Sequence, residues 1–172
     1  VMDGRQRSEA HPLTWPSFLK AKKEGAKLVV IDPRFTKEAE NADLWLQIRP
    51  GTDDALLLSW LNIIIGEDLY DKEFVGKWTA GFEKLREHVK RFTPEWAEKI
   101  TWIPAERIIE AARMYATNKP AIFDDTPFRF NSCSTDANRS AAILRAITGN
   151  IDVKGGVAIG IGHFPVAIGG CF

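Results

Sequence analysis

A short apolar run at residues 28–31, Leu-Val-Val-Ile, constrains the fold of this chain more than any other feature. It lies between Lys27 and the pair Asp32-Pro33, and most of it is β-branched. A run that is this short and apolar at every position is typical of a parallel strand buried on both faces. Asp32 follows directly, and open α/β sheets bind ligands at the carboxyl ends of their strands.

A second apolar segment, residues 44–48, repeats this arrangement. It runs through Arg49-Pro50-Gly51 into residues 53–65, which are apolar almost all round and therefore predict a buried helix. The chain thus carries two predicted strand ends, each followed by an acid, and the second acid stands at the start of a helix.

Strands and helices alternate along the rest of the chain. We predict an α/β fold, a doubly wound and mainly parallel Rossmann-like sheet with helices on both faces. Right-handed crossovers would bring the loops 4–12, 32–36 and 50–53 to one edge, with 124–131 as a fourth. The predicted helices cover residues 14–24, 36–42, 53–65, 72–77, 80–91, 104–117 and 135–148, another helix starts at 93–96, and a further short strand covers 120–123.

Composition excludes several classes of protein. The 172 residues suffice for one domain, and 23 basic residues balance 23 acidic ones, which argues against nucleic-acid binding. The two cysteines, Cys133 and Cys171, lack metal-ligand spacing, and no apolar run reaches the roughly 20 residues of a membrane span. We expect one domain over residues 1–156, a glycine-rich start of an adjoining domain or a disordered tail over 157–172, and a longer parent protein.

The two acids suggest nucleotide chemistry. Asp32 could accept from a ribose hydroxyl or a purine N–H, and Arg34 offers a planar fork for phosphate or a base. Gly51 would let a ligand approach the backbone, and the helix beginning at Thr52 or Asp53 has free N–H groups. Because Asp53 would repel phosphate, it better suits the N1–H and N2 amino edge of guanine. Asp32 could instead belong to an ordinary loop. Asp53 could be a plain N-cap, which is compatible with guanine binding because one carboxylate oxygen can cap while the other accepts.

Other candidate motifs give weaker evidence for a functional site. The loop 4–12, GRQRSEAHP, could hold a pyrophosphate or could be a solvated loop. No GxGxxG, GxxxxGK[ST] or GxSxG motif occurs. No partner is evident in the sequence for His11, His88 or His163, and nothing in it activates Cys133, so we assign these residues no catalytic role.

Several stretches, in fixed order, resemble one known family. VVIDPRFTKEAENADLWLQIRPGTDDALLLSWLNIII, then EDLYDKEFVGKWTAGFEKLREHV, TPEWAEKITWIPAERIIEAARMYA and LRAITGNIDVKGG are similar to the dinucleotide-binding domain of the molybdopterin oxidoreductases, the dimethyl sulfoxide reductase superfamily. The resemblance implies a bis(molybdopterin guanine dinucleotide) cofactor with molybdenum or tungsten, whose guanosine diphosphate end this domain would hold. Together with Thr52 at the helix start, the implied cofactor-binding residues are Gln6, Glu9, Ile31, Asp32, Arg34, Gly51 and Asp53.

The chain differs from the family's usual sequence pattern at several positions, and the resemblance implies where the metal would lie. Gln6 and Arg7 stand where many relatives have asparagine and proline, and residues 124–130 replace a glycine-rich turn. The metal ligand and any iron–sulfur cluster would lie outside this chain, so the chain alone should not turn over substrate. Its partners would be the rest of the catalytic subunit and an iron–sulfur electron-transfer subunit. The alternatives are a non-redox hydratase or transhydroxylase with the same cofactor, and a nucleotide-binding module without metal chemistry.

Overall fold

A computed structural model of the chain describes residues 1–3, 7–10, 13–124 and 134–157. Its strands are β1 (Met2–Asp3), β2 (Val29–Ile31) and β3 (Leu44–Leu46). Its helices are α1 (Arg7–Ala10), α2 (Trp15–Lys23), α3 (Lys37–Glu40), α4 (Asp53–Gly66), α5 (Lys72–Trp78), α6 (Phe82–Val89), α7 (Pro94–Thr101), α8 (Ala105–Thr117) and α9 (Ser134–Ile147). Gln6, most of the loop 124–131 and residues 158–172 lie outside the described residues.

The three strands form one parallel sheet in the order β1-β2-β3. The predicted α/β class with a parallel sheet is therefore confirmed in its coarser form. Residues 120–123 do not form the regular strand that the sequence predicts. An isolated parallel bridge instead joins Asp124 to Met2, on the side of β1 away from β2.

The sheet has unequal cover on its two faces. Val29 and Ile31 point into a large cluster, the main core, which α4 fills with most of its residues. Val30 points the other way, into a small cluster of Met2, Leu28, Val30 and Ala39, the satellite cluster. The strand is thus buried on both faces, as its unbroken apolar run predicts.

Helix α4 lies at the centre of the main core. Ten of its fourteen residues are buried, and the other four, at positions 54, 58, 62 and 66, form one partly exposed stripe along the helix. Trp60 lies at ring-centroid distances of 5.9 Å from Tyr115 and 6.0 Å from Phe123. The prediction of a buried helix here is confirmed.

A corner at the end of α9 joins it to the start of α5. The backbone N–H of Asp71 donates to the carbonyl of Ile147 over 2.7 Å, and the Asp71 carboxylate caps α5 by accepting from the N–H of Phe74. Gly149 follows with φ +68°, and a Cβ built there would stand 2.5 Å from Asp71 Oδ2. The corner therefore requires glycine for both its conformation and its space.

Candidate functional site

The first acid turn, residues 32–35, leaves the carboxyl end of β2. The backbone N–H of Asp32 donates to the carbonyl of Leu46 over 3.2 Å, and the Asp32 carbonyl accepts from the Trp45 indole over 2.9 Å. The carboxylate of Asp32 accepts through Oδ1 from the backbone N–H of Arg34 over 2.8 Å. The turn is therefore fixed against β3 and folded back on its own carboxylate.

Asp32 is nearly buried, with 4% of its surface exposed. Burial raises the pKa of its carboxyl above the ordinary value, and the Arg34 backbone N–H and guanidinium only partly oppose this. No hydrogen bond reaches Asp32 Oδ2 from the residues that the structure describes. That oxygen is therefore the one that could accept from a ligand.

The second acid turn, residues 50–53, follows β3 and opens α4. Gly51 has φ +79°, a conformation that favours glycine. Thr52 occupies the N-cap position, but its hydroxyl donates to the carbonyl of Arg49 over 2.7 Å and does not cap the helix. Asp53 is the first helical residue and is 3% exposed, so the alternative of a plain N-cap at Asp53 is wrong. Its negative charge is favoured by the helix dipole.

Helix α1 lies beside the first acid turn. The backbone N–H of Ser8 donates to Glu38 Oε1 over 2.6 Å, and Glu38 is 1% exposed. Burial raises the pKa of this carboxyl, but the hydrogen bonds from Ser8 outweigh it, so the pKa lies below the ordinary 4.5. Glu9 lies on α1 with its side chain exposed. The loop 4–12 thus contains a short helix, where a loop without regular structure was expected.

Because β2 and β3 are parallel, the two acid turns leave the sheet at the same edge. The Gln47 side-chain amide also donates to the carbonyl of Pro33 over 3.2 Å, which links the first acid turn to the segment leading into the second. Ile31 is fully buried in the main core, so it could meet a ligand only through its backbone. The positions of these candidates are compatible with one site, while Gln6 lies outside the described residues.

Sequence reasoning did not identify Trp45, Gln47 or Glu38 as supports of the site. Trp45 and Gln47 are two residues apart in the predicted strand 44–48, a spacing that puts side chains on the same face and could have indicated them. Glu38 had no comparable signal, because its partner is a backbone N–H thirty positions earlier in the chain.

A cavity of about 550 Å³ lies away from this edge. It adjoins the amino end of β2, and its lining includes Lys27, Leu28, Tyr115 and Pro120. The part of the chain that the structure describes contains no group of three His, Cys, Asp or Glu side chains that could hold a metal. Within the same residues, no helix is both long and apolar enough to cross a membrane.

The sequence profile of a family described as "Molybdopterin oxidoreductase" matches residues 4–165. The chain belongs to this family. This confirms the resemblance carried by the two acid turns and by the segments that follow them.

Relatives across the family agree. The chain is 48% identical over 146 residues to an acetylene hydratase of Syntrophotalea acetylenica, covering 83% of this chain and 20% of that protein. It is 44% identical over 154 residues to a formate dehydrogenase alpha subunit of Methanocaldococcus jannaschii, covering 88% and 23%. The solved structure of acetylene hydratase from Pelobacter acetylenicus matches with a TM-score of 0.77 at 45% identity, covering 79% of this chain and 19% of that one.

The chain therefore spans about a fifth of the length of the curated relatives that it matches. Membership of the family implies a molybdenum or tungsten pterin cofactor. The described residues of this molybdopterin oxidoreductase chain suit part of such a group. Gly51 has the conformation of a turn that a ligand can approach closely, and the two buried acids offer acceptors at the same sheet edge.

Proposed function

We propose that this chain holds the guanosine diphosphate end of a bis(molybdopterin guanine dinucleotide) cofactor. The observation that supports this most is that two nearly buried carboxylates, Asp32 and Asp53, follow adjacent parallel strands. Ligands of open α/β sheets bind at this edge. Burial deprives Asp32 of hydration, and a donor from a ligand to its Oδ2 would compensate for that loss.

Each residue has a role in the proposal. Asp53 accepts from the N1–H and N2 amino group of guanine, and Asp32 accepts from a ribose hydroxyl. Arg34, whose guanidinium is mostly exposed, faces the phosphates. Gly51 and Thr52 let the nucleotide approach the backbone at the start of α4. Gln6, Glu9 and the backbone of Ile31 complete the contacts.

The proposal extends to the parent enzyme. When bound, the cofactor supplies molybdenum or tungsten redox chemistry, with the metal held by residues outside this chain. The partners are the rest of the catalytic subunit and an iron–sulfur electron-transfer subunit. In this proposal residues 1–156 are the binding domain and its sheet is doubly wound, which the bridge from Asp124 to β1, on the side away from β2, supports.

A non-redox relative is the second candidate. It is favoured by the 48% identity to an acetylene hydratase. Such an enzyme would use the same nucleotide site, so the experiment below tests what both candidates share.

Titration calorimetry of the chain with GDP and ADP tests the nucleotide site. We expect GDP to bind more tightly than ADP. Asp53→Asn should weaken GDP binding by roughly 10- to 150-fold, because hydrogen bonds to a charged group contribute about 1.5–3 kcal/mol. It should also remove the preference for guanine.

Asp54→Asn is the matched control. Asp54 has the same charge one position later, and its Oδ1 accepts from the N–H of Ala55 within its own helix. GDP affinity should change little in this variant. Equal affinity of the wild type for GDP and ADP, or equal losses in the two variants, would contradict the role of Asp53.

A further inference from the structure

An aromatic ring and a guanidinium stack beside the second acid turn. Arg49 immediately precedes Pro50, and its guanidinium carbon lies 5.2 Å from the ring centroid of Trp102. We propose that Trp102 and Arg49, here called the stacking pair, form a wall against which the purine base of the bound nucleotide stacks. This inference rests on the proposed function, because it takes the nucleotide as the ligand.

The backbone fixes the stacking pair relative to the acid turn. The N–H of Arg49 donates to the carbonyl of Thr101 over 2.8 Å. Thr101 is fully buried; its hydroxyl donates to the carbonyl of Ala97 over 2.8 Å and accepts from the N–H of Ile103 over 3.2 Å. The end of α7 is therefore attached directly to the segment that leads into Gly51.

Trp102 has a backbone conformation that costs stability. It ends α7 with φ +67°, where glycine is usual, and its N–H donates to the carbonyl of Glu98 over 2.9 Å. Its side chain is 68% exposed, so the ring contributes little to the core. The positive φ and the exposed ring together indicate a contact outside the core, and the proposal assigns that contact to the nucleotide because Arg49 places the ring next to the second acid turn.

The chemistry of the pair suits a purine. Bases stack on aromatic rings and on guanidinium planes, and every base has a face that can do so. Stacking therefore adds affinity without distinguishing guanine from adenine. In this division of roles, Asp53 recognises the edge of the base, and the stacking pair holds its face.

The test compares Trp102→Gly with Trp78→Ala. Trp78, the last residue of α5, is 76% exposed and serves as the matched exposed tryptophan. In calorimetric titrations of the whole chain, Trp102→Gly should weaken GDP and ADP binding about tenfold each, since stacking is largely indifferent to the base. The ratio of the two affinities should stay unchanged. Trp78→Ala should leave both affinities as in the wild type.

Folding and fluorescence give independent readouts. Trp102→Gly should melt at the same temperature as the wild type or higher, because glycine relieves the positive φ. GDP should quench tryptophan fluorescence in the wild type and in Trp78→Ala, and the quenching should fall in Trp102→Gly. Trp102→Phe keeps an aromatic face and should recover most of the affinity.

Failure of this inference can be told from failure of the proposed function. Undiminished GDP affinity and quenching in Trp102→Gly, with a wild type that prefers GDP, would overturn the stacking pair and leave the nucleotide site standing. A wild type that binds neither nucleotide would overturn both. A loss for GDP alone would assign Trp102 to recognition of the guanine edge and would overturn its role as a stacking wall.

Discussion

The two acid turns leave the same sheet edge but are supported in different ways. The second acid turn opens α4, whose residues fill the main core. The first acid turn follows a strand that has the satellite cluster on one face, and it is held by single hydrogen bonds from Trp45 and Gln47. Ile31 anchors the first acid turn to the main core, but beyond that residue the turn depends on individual hydrogen bonds, whereas Asp53 lies within a helix that fills the core. Substitutions should therefore affect fold and binding in different proportions at the two turns.

The largest effect should come from the packing under the second acid turn. Leu56 is fully buried, and its N–H donates to the carbonyl of Thr52. Leu56→Ala should lower the free energy of unfolding by about 2–5 kcal/mol. Val30→Ala, in the satellite cluster, should cost about 1.6 kcal/mol, at roughly 0.8 kcal/mol for each carbon removed. Urea titration followed by circular dichroism measures both.

Leu13→Ala is the control for that pair of variants, because Leu13 is almost fully exposed and should change the unfolding free energy by less than about 0.5 kcal/mol. A larger loss of unfolding free energy in Val30→Ala than in Leu56→Ala would contradict the prediction that apolar packing matters more under the second acid turn.

At the first acid turn, replacing Asp32 by asparagine should raise the thermal stability of the chain but lower its affinity for GDP. Burial raises the pKa of Asp32, so its favourable contribution to folding is present below about pH 3.8 and is lost as the pH rises through the raised pKa. Asp32→Asn should therefore melt at a higher temperature than the wild type at pH 7. It should also bind GDP about tenfold more weakly, at the low end of the range for a charged hydrogen bond.

Calorimetric melting at pH 3 and pH 7, with GDP titration at pH 7, checks this prediction. The stabilisation by Asp32→Asn should shrink at the lower pH. A lower melting temperature of the variant at pH 7 would contradict the prediction. It would show that the Asp32 carboxylate stabilises the turn and that its burial does not lower stability.

The smallest effect concerns Glu38 of α3, which joins the helix after the first acid turn to α1. Its pKa lies below 4.5, so its contribution to stability is present above pH 4.5 and is lost as the pH falls through the lowered pKa. Glu38→Gln should cost about 1 kcal/mol at pH 7, the difference between a charged and a neutral hydrogen bond. Urea titrations between pH 3 and pH 7 should show a flatter pH dependence. An unchanged slope would remove Glu38 as an acid-sensitive support.

Much of the fold followed from the sequence because local signals agreed with the tertiary packing. The apolar run before Asp32 forms a buried strand, and Thr36 and Thr93, residues that favour helix starts, cap α3 and α7 through their side chains. The expected strand at 120–123 is reduced to a short parallel contact with the start of β1: the carbonyl of Ile122 accepts from the N terminus of Val1, and the N–H of Asp124 donates to the carbonyl of Val1. On its other edge the N–H of Ala121 donates to the Asn150 side chain and the carbonyl of Phe123 accepts from Arg145, so side chains stand there in place of a further strand.

The site was predictable to a lesser degree. Asp32, Gly51 and Asp53 stand out because they follow apolar runs, and their common edge follows from parallel pairing. The contact between Arg49 and Trp102 was not predictable, because it joins residues 53 positions apart through a backbone hydrogen bond at Thr101. The positive φ of Trp102 was also hidden, since a tryptophan gives no local sign of a conformation that glycine prefers.

The corner at Gly149 determines where the chain can tolerate insertions and deletions. The hydrogen bond between Asp71 and Ile147 brings together the two ends of a segment of more than seventy residues. The closure entropy of such an excursion grows only slowly with its length. Turns between α5 and α8 could therefore gain or lose residues while the strands and the two acids keep their positions. A side chain at Gly149, in contrast, would displace Asp71 from the end of α9.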